Sequence, residues 1–402
     1  MMPDSSSLVH LAVALDGAGW HPAAWREAEA RPHELFDPAY WADLVAEAES
    51  GSLDFVTIED AMTVQSDDPF EPDNRVDRVS GRLDAVLVAA RIAPRSKGIG
   101  FVPTATITHT EPFHVSKSIA TLDYVSTGRA GVRVQISARN DAAAHFGRRT
   151  LPRLSLDVID DPAVQEQIRE HFAEAADYVE VLRRLWDSWE DDAEIRDVAT
   201  GRFIDRQKLH YIDFEGRWFS VKGPSITPRP PQGQPIVAAL GHNRVSYQLI
   251  AGSADVGFVT PRDAAQASDI VGEIRALRSA AGPSGDALHI FGDVVVFLDR
   301  TPQAAQARRR RLDELTGAEY RSDAHVFVGT PKQLADVLQE WHAAGLSGFR
   351  LRPAALPHDL VQITQGLVPE LRRRRLFRAA YEADTLRGLL GLRRPTNRYA
   401  VA

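Results

Sequence analysis

Eight strand–helix units in one chain predict an α/β fold, a (β/α)8 TIM barrel with long insertions after the fourth and seventh strands. Three observations lead there. Short apolar runs alternate with longer amphipathic stretches from residue 8 to residue 352. The first four units follow one another without interruption, the pattern of a parallel sheet joined by right-handed crossovers. Eight such units match the usual barrel with insertions.

The elements run in order. LVHLAVAL (8–15) reads as the first strand, and PAYWADLVAEAESG (38–51) as an amphipathic helix stopped by glycine. LDFVTIED (53–60) is the second strand, followed by a helix over 82–94 that ends at Pro94. GIGFVPTA (98–105) is the third, followed by a helix over 112–128. GRAGVRVQIS (128–137) is the fourth, with Val132, Val134 and Ile136 on one face and Arg133, Gln135 and Ser137 on the other. Later strands are read at 235–240, 255–259, 288–298 and 347–352, with helices at 243–253, 263–281 and 331–344. An open doubly wound sheet would place a G-x-G-x-x-G turn after the first strand; LDGAGW matches it only in part, and no acidic residue follows at the right distance.

Residues 1–402 are read as one domain. Its insertions cover about 138–234, with a long helix, a short hairpin and a proline-rich turn, and about 300–330. A helical C-terminal extension is expected over about 369–402. Insertions after a strand's C-terminal end sit over the barrel mouth, where barrel enzymes keep their chemistry. The arginine runs at 308–311 and 372–375 read as solvated helix faces.

Composition excludes several function classes. The chain has 402 residues, 44% hydrophobic and 25% charged, with a net charge of -8, unlike the basic surface of a nucleic-acid binder. With no cysteine, disulfides, thiolate nucleophiles and cysteine-ligated metals are ruled out. The first residues show no basic-then-apolar secretory pattern, and no apolar run nears the roughly 18 residues of a membrane span, so a cytoplasmic protein is expected. No phosphate loop, H-E-x-x-H or G-x-S-x-G motif occurs, and the thirteen histidines have no metal-ligand spacing. Glu59 and Asp60 close the second strand, as an acid–base pair or as a helix cap and an arginine partner. Trp20, His21, Trp25 and Arg26 follow the first strand as pocket walls with one cation, or as a surface loop. His109, after the third strand, reads as a candidate catalytic acid or base or as a core or loop histidine.

The stretches GWHPAAWR, TLDYVSTGRAG, ADYVEVLRRLWDSWEDDA and DFEGRWFSVKGPSITPRPPQGQP resemble the bacterial-luciferase-like flavin-dependent monooxygenases, in the nitrilotriacetate and dibenzothiophene-sulfone monooxygenase branch. The resemblance spans about residues 8–370. It implies a barrel that binds FMN at its mouth, reduced by a separate flavin reductase, and that uses O2 to oxygenate a small organic substrate. It also implies a homodimer or homotetramer. Asp60 matches the family's acidic residue near the flavin, Thr104 and Thr106 its small polar positions, and Ser137 the serine that ends its fourth strand. Elsewhere the chain departs. Arg133 stands for asparagine, Phe172 for a phosphate-binding tyrosine, and Gly241-His242-Asn243 for a Gly-Ser-Ser phosphate turn. Three readings follow: an FMN monooxygenase with an atypical phosphate site in which Arg133, His242 and Asn243 are donors; an F420-dependent oxidoreductase; or a flavin-free binding or scaffold paralogue, marked by an internal Arg133–Asp60 bridge.

The arginine, glutamine and serine of the fourth strand would face the barrel interior. A buried arginine needs a partner. The sequence offers an anionic ligand or an internal carboxylate, Glu59 or Asp60.

Overall fold

The computed structural model describes residues 8–68, 70–151, 158, 160–282 and 287–400. Eight parallel strands close a barrel: β1 (His10–Leu15), β2 (Phe55–Ile58), β3 (Gly100–Thr106), β4 (Gly131–Gln135), β5 (Ile236–Gly241), β6 (Val256–Val259), β7 (His289–Leu298) and β8 (Gly348–Pro353). They pair in chain order, and β8 returns to β1 with Gly348 opposite His10. That closure is tight: a Cβ on Gly348 would stand 2.7 Å from the His10 carbonyl oxygen. Each strand expected from the sequence is present, with its ends within three residues of the expected ones.

A further strand, His325–Gly329, lies beside the upper half of β7. β6 stops opposite Gly292, while β7 runs on to Leu298 and leaves an open edge. The segment HVFVG covers that edge, a pairing that local sequence does not announce. The insertion after β4 contributes the helix Pro162–Asp187 and two short hairpins. Trp186 pins that helix to the barrel by donating from Nε1 to the Ser116 carbonyl at 3.0 Å. No helix among the described residues is long and apolar enough to cross a membrane.

The expected helical extension at the C-terminus is a correction. Among the described residues beyond the short helix Val368–Arg373, only one turn, Leu386–Leu389, is helical. The segment is shaped by tertiary bonds instead. Arg378 reaches Asp54 at 2.5 Å, and the Arg387 amide donates to Gln232 at 2.8 Å. Leu386, Leu390 and Leu392 join Phe55, Val256, Phe258 and Phe291 in one apolar cluster that fills the bottom of the barrel. Outward-facing residues such as Leu11, Val13, Val132 and Val134 pack under the helices. The upper interior is polar, and it bears on function.

Two predictions follow from the plug. Leu386 is fully buried in it, so Leu386→Ala should lower unfolding stability by about 2–5 kcal/mol, read by denaturant titration. His289, bonded to the Leu390 carbonyl at 2.8 Å, has its pKa pushed down to about 4 by burial and by the neighbouring His10. The unfolded chain takes up that proton near the ordinary value of 6.5, whereas the folded chain does not. Its contribution to stability is therefore complete above about pH 6.5 and is lost progressively towards about pH 4. His289→Gln should flatten this part of the acid limb in thermal melts.

Candidate functional site

The mouth of the barrel is built from the C-terminal ends of the strands. The turn after β1, Asp16–Gly19, lies against the chain leaving β8. A Cβ on Gly19, at φ +128°, would be 2.5 Å from the Ala354 carbonyl oxygen, so only glycine lets the two segments touch. Arg82, in the long loop after β2, grips Asp16 through two bonds of 3.0 and 2.6 Å.

Inside the mouth runs a chain of ion pairs. Glu59, 8% exposed, stands between Arg133 and Arg350. Its Oε2 accepts from Arg133 Nη2 at 2.5 Å, and its Oε1 accepts from Arg350 Nη1 at 3.3 Å. Arg133 also donates to Thr104 Oγ1 at 3.0 Å and to Gln135 Oε1 at 2.9 Å. Arg350 and Arg352 share the fully buried Asp293, each through Nε at 2.9 Å and through a second bond from Nη2. Arg352 then reaches Asp323 Oδ1 at 2.6 Å. Phe258 lies 4.2 Å from the Arg350 guanidinium, and Trp20 lies 4.5 Å from that of Arg352. Three guanidinium groups thus face three carboxylates, and the upper interior balances its own charge.

This arrangement answers what partners Arg133. Its partner is an internal carboxylate, and it is Glu59. The Asp60 side chain points elsewhere: its two oxygens accept from the Ala61 amide at 2.7 Å and the Ala85 amide at 3.0 Å, at the start of helix Ala85–Ile92. Burial raises the Asp60 pKa above the ordinary carboxylate value. An Arg133–Asp60 bridge, the signature expected of a flavin-free paralogue, is therefore not formed. An open cavity beside the network also counts against that reading.

That cavity, of about 730 Å3, runs from the mouth between helices Ala85–Ile92 and Pro112–Val125. Asp60, Thr104, Thr106, His109 and Phe146 are among its walls. His109 is buried, its ring stacks on Phe146 at 5.4 Å, and its Nε2 has no hydrogen-bond partner among the described residues. Burial lowers its pKa below the ordinary histidine value, which favours the neutral imidazole.

The other expected residues scatter around the rim. Ser137 is half-buried, its amide donating to Thr108 Oγ1 at 2.8 Å. Phe172 packs partly buried against the main core. Gly241 leaves room for Ile250 and Tyr247, which a Cβ would meet at 2.8 and 3.0 Å. Asn243 is the N-cap of helix Arg244–Ser253: its Oδ1 accepts from the Ser246 amide at 3.1 Å. The amides of His242 and Asn243 in turn donate to Ser246 Oγ at 3.0 and 3.1 Å. The turn after β5 is thus closed on itself, and its two amides are not a free cradle. The His242 ring remains at the rim, 3.0 Å from Thr260 Oγ1 and 3.6 Å from Asp323.

Trp20 and His21 line a second cavity, of about 270 Å3, on the β1 side of the mouth. His21 is buried and committed: Nε2 meets Asp313 at 3.1 Å, and Nδ1 accepts from the Ala23 amide at 3.0 Å. Trp25 and Arg26 lie outside these walls. Trp25 donates to the Asp77 carbonyl at 3.0 Å, and Arg26 to the Leu315 carbonyl at 3.1 Å while stacked on Trp25. Sequence reading missed Asp293, Asp323, Arg350 and Arg352. The alternation in SGFRLRP, with arginines opposite Phe349 and Leu351, is the same signal that marked Arg133.

Removing one member of a buried ion pair strands its partner. Glu59→Gln should therefore lower stability by about 3–5 kcal/mol in chemical denaturation. Asp60→Asn, which replaces one of the two oxygens that accept from backbone amides, should cost about 1 kcal/mol.

The comparisons with known proteins agree with the barrel fold. The luciferase-like monooxygenase family model matches residues 18–348. N-acetyl-S-(2-succino)cysteine monooxygenase of Bacillus subtilis (strain 168) is 29% identical, covering 99% of this chain and 100% of the relative. Nitrilotriacetate monooxygenase component A of Aminobacter aminovorans is also 29% identical, covering 95% and 96%. The crystal structure of a long-chain alkane monooxygenase superposes with a TM-score of 0.82 at 25% identity, covering 96% of this chain and 95% of that one. With its closed eight-stranded barrel and a match over most of its length, the chain belongs to the luciferase-like monooxygenases and is a flavin-dependent oxidoreductase of that family.

Proposed function

We propose that this chain is the oxygenase of a two-component system. It takes FMN reduced by a separate flavin reductase and uses O2 to oxygenate a small organic acid, as a homodimer or homotetramer. The observation that supports this best is the large mouth cavity with the orphaned Nε2 of His109 in its wall. Its volume suits a flavin-sized ligand, and a buried nitrogen without a partner fits a group that brings one.

The residues fit the ring better than the phosphate. Thr104, Thr106 and His109 would stand beside the ring system, with His109 offering either a donor or an acceptor as its tautomer requires. Phosphate would have to be met by the His242 side chain, since the turn amides are closed on Ser246 and Arg133 is held by Glu59. Bound reduced FMN would supply the electrons by which one atom of O2 enters the substrate and the other leaves as water. The protein's part is to orient the reactants and to keep water out with walls such as Phe146 and Leu122. The acid character of the substrate draws on the relatives whose names specify nitrilotriacetate and N-acetyl-S-(2-succino)cysteine.

The reading is tested by titrating the protein anaerobically with reduced FMN and, separately, with oxidised FMN. Saturable micromolar binding, tighter for the reduced form, is expected; absence of binding by both forms would overturn it. His242→Ala should weaken FMN binding at least tenfold, about 1.4 kcal/mol, and leave riboflavin binding unchanged. Equal losses for FMN and riboflavin would remove His242 from the phosphate.

A further inference from the structure

The smaller mouth cavity holds an arginine that the rest of the structure does not use. Its walls include Trp20 from the turn after β1, Arg78 from the loop after β2, and Tyr320 and Arg321 from the insertion after β7. The other charged side chains there are committed. Asp16 is held by Arg82. Asp67 is shared by Arg75 and Arg78, at 2.9 and 2.5 Å, and Arg78 also reaches Asp73. Just behind Trp20, Arg352 is saturated by Asp293 and Asp323. Arg321 alone among these guanidinium groups is exposed and makes no hydrogen bond or ion pair with any described residue.

The backbone that presents Arg321 is fixed on both sides. The Tyr320 ring packs on His21 at 5.1 Å and on Phe297 at 6.0 Å, and its amide donates to Asp313 at 2.9 Å. Arg262 donates to the carbonyls of Ser322 and Ala324 at 3.2 and 3.1 Å. A free cation on an anchored segment, lining a cavity with an indole wall, can meet a planar anion without breaking an internal bond. The guanidinium fork matches a carboxylate with two parallel bonds, while Trp20 covers the apolar part of the molecule.

We infer that Arg321 is the substrate-carboxylate anchor of this enzyme and that the cavity beside Trp20 receives the acidic end of the substrate. The inference rests on the reading of the chain as an oxygenase of small organic acids, and it names the residue that makes the choice. The cation that sequence reasoning sought in Arg26 is supplied from a distant part of the chain.

The test is isothermal titration of the full-length protein with tricarballylate and with its neutral triamide, for wild type, Arg321→Ala and Arg321→Lys. Wild type should bind tricarballylate at least tenfold more tightly than the triamide. Arg321→Ala should erase that preference, and Arg321→Lys should keep part of it. Because Arg321 makes no bond with any described residue, both variants should melt as wild type does and bind FMN with unchanged affinity. Tricarballylate binding that is absent in wild type, or equal in wild type and Arg321→Ala, overturns the inference. If FMN fails to bind while the Arg321-dependent preference persists, the oxygenase reading falls and the carboxylate anchor stands.

Discussion

Everything at the mouth depends on Glu59, a single carboxylate held between two arginines from opposite sides of the barrel. Arg133 comes from β4 and Arg350 from β8, and neither is tolerable in the interior without a partner. From Glu59 the ion pairs continue through Asp293 and Arg352 to Asp323 on the far rim. Such a network gives little net stability, because desolvation of six charged groups offsets most of their attraction. What it supplies is position. Planar guanidinium forks accept few geometries, so each strand end is tied to a particular neighbour.

The division of the interior follows from this. Below the network the barrel is filled with phenylalanine and leucine, three of the leucines supplied by the C-terminal segment that seals the bottom. Above it, cavities open on two sides of the long loop after β2. The larger has an apolar character and an unpartnered histidine nitrogen, suited to a flat, heteroatom-bearing ring. The smaller is walled by the rings of Trp20 and Tyr320 and by charges of both signs, of which Arg321 makes no bond with any described residue. The loop that contributes to both is stiffened by its own ion pairs, Arg75 with Asp77 and Arg78 with Asp67 and Asp73.

The turn after β5 is closed by bonds of its own. A family turn rich in hydroxyls would offer several donors at the start of helix Arg244–Ser253. Here asparagine caps that helix, and Ser246 absorbs the two turn amides. The turn Gly241-His242-Asn243 thus serves local helix capping, with one imidazole left at the rim.

The sequence by itself determined the barrel. Period-two alternation and helix caps are local properties, so each of the eight strands and most of the helices could be read from neighbouring residues. It also determined that β4 turns an arginine inward, since alternation leaves no other face for it. Only the tertiary structure decided between Glu59 and Asp60, because adjacent residues on a strand end point to opposite sides and the side facing Arg133 depends on the β2–β4 geometry. The irregular C-terminal segment was equally illegible: its arginines and leucines look like a helix but are claimed by bonds to Asp54, Gln232 and the barrel floor. So was the convergence of Trp20 with Arg321, roughly three hundred residues apart, which the closure of β8 onto β1 brings to one cavity.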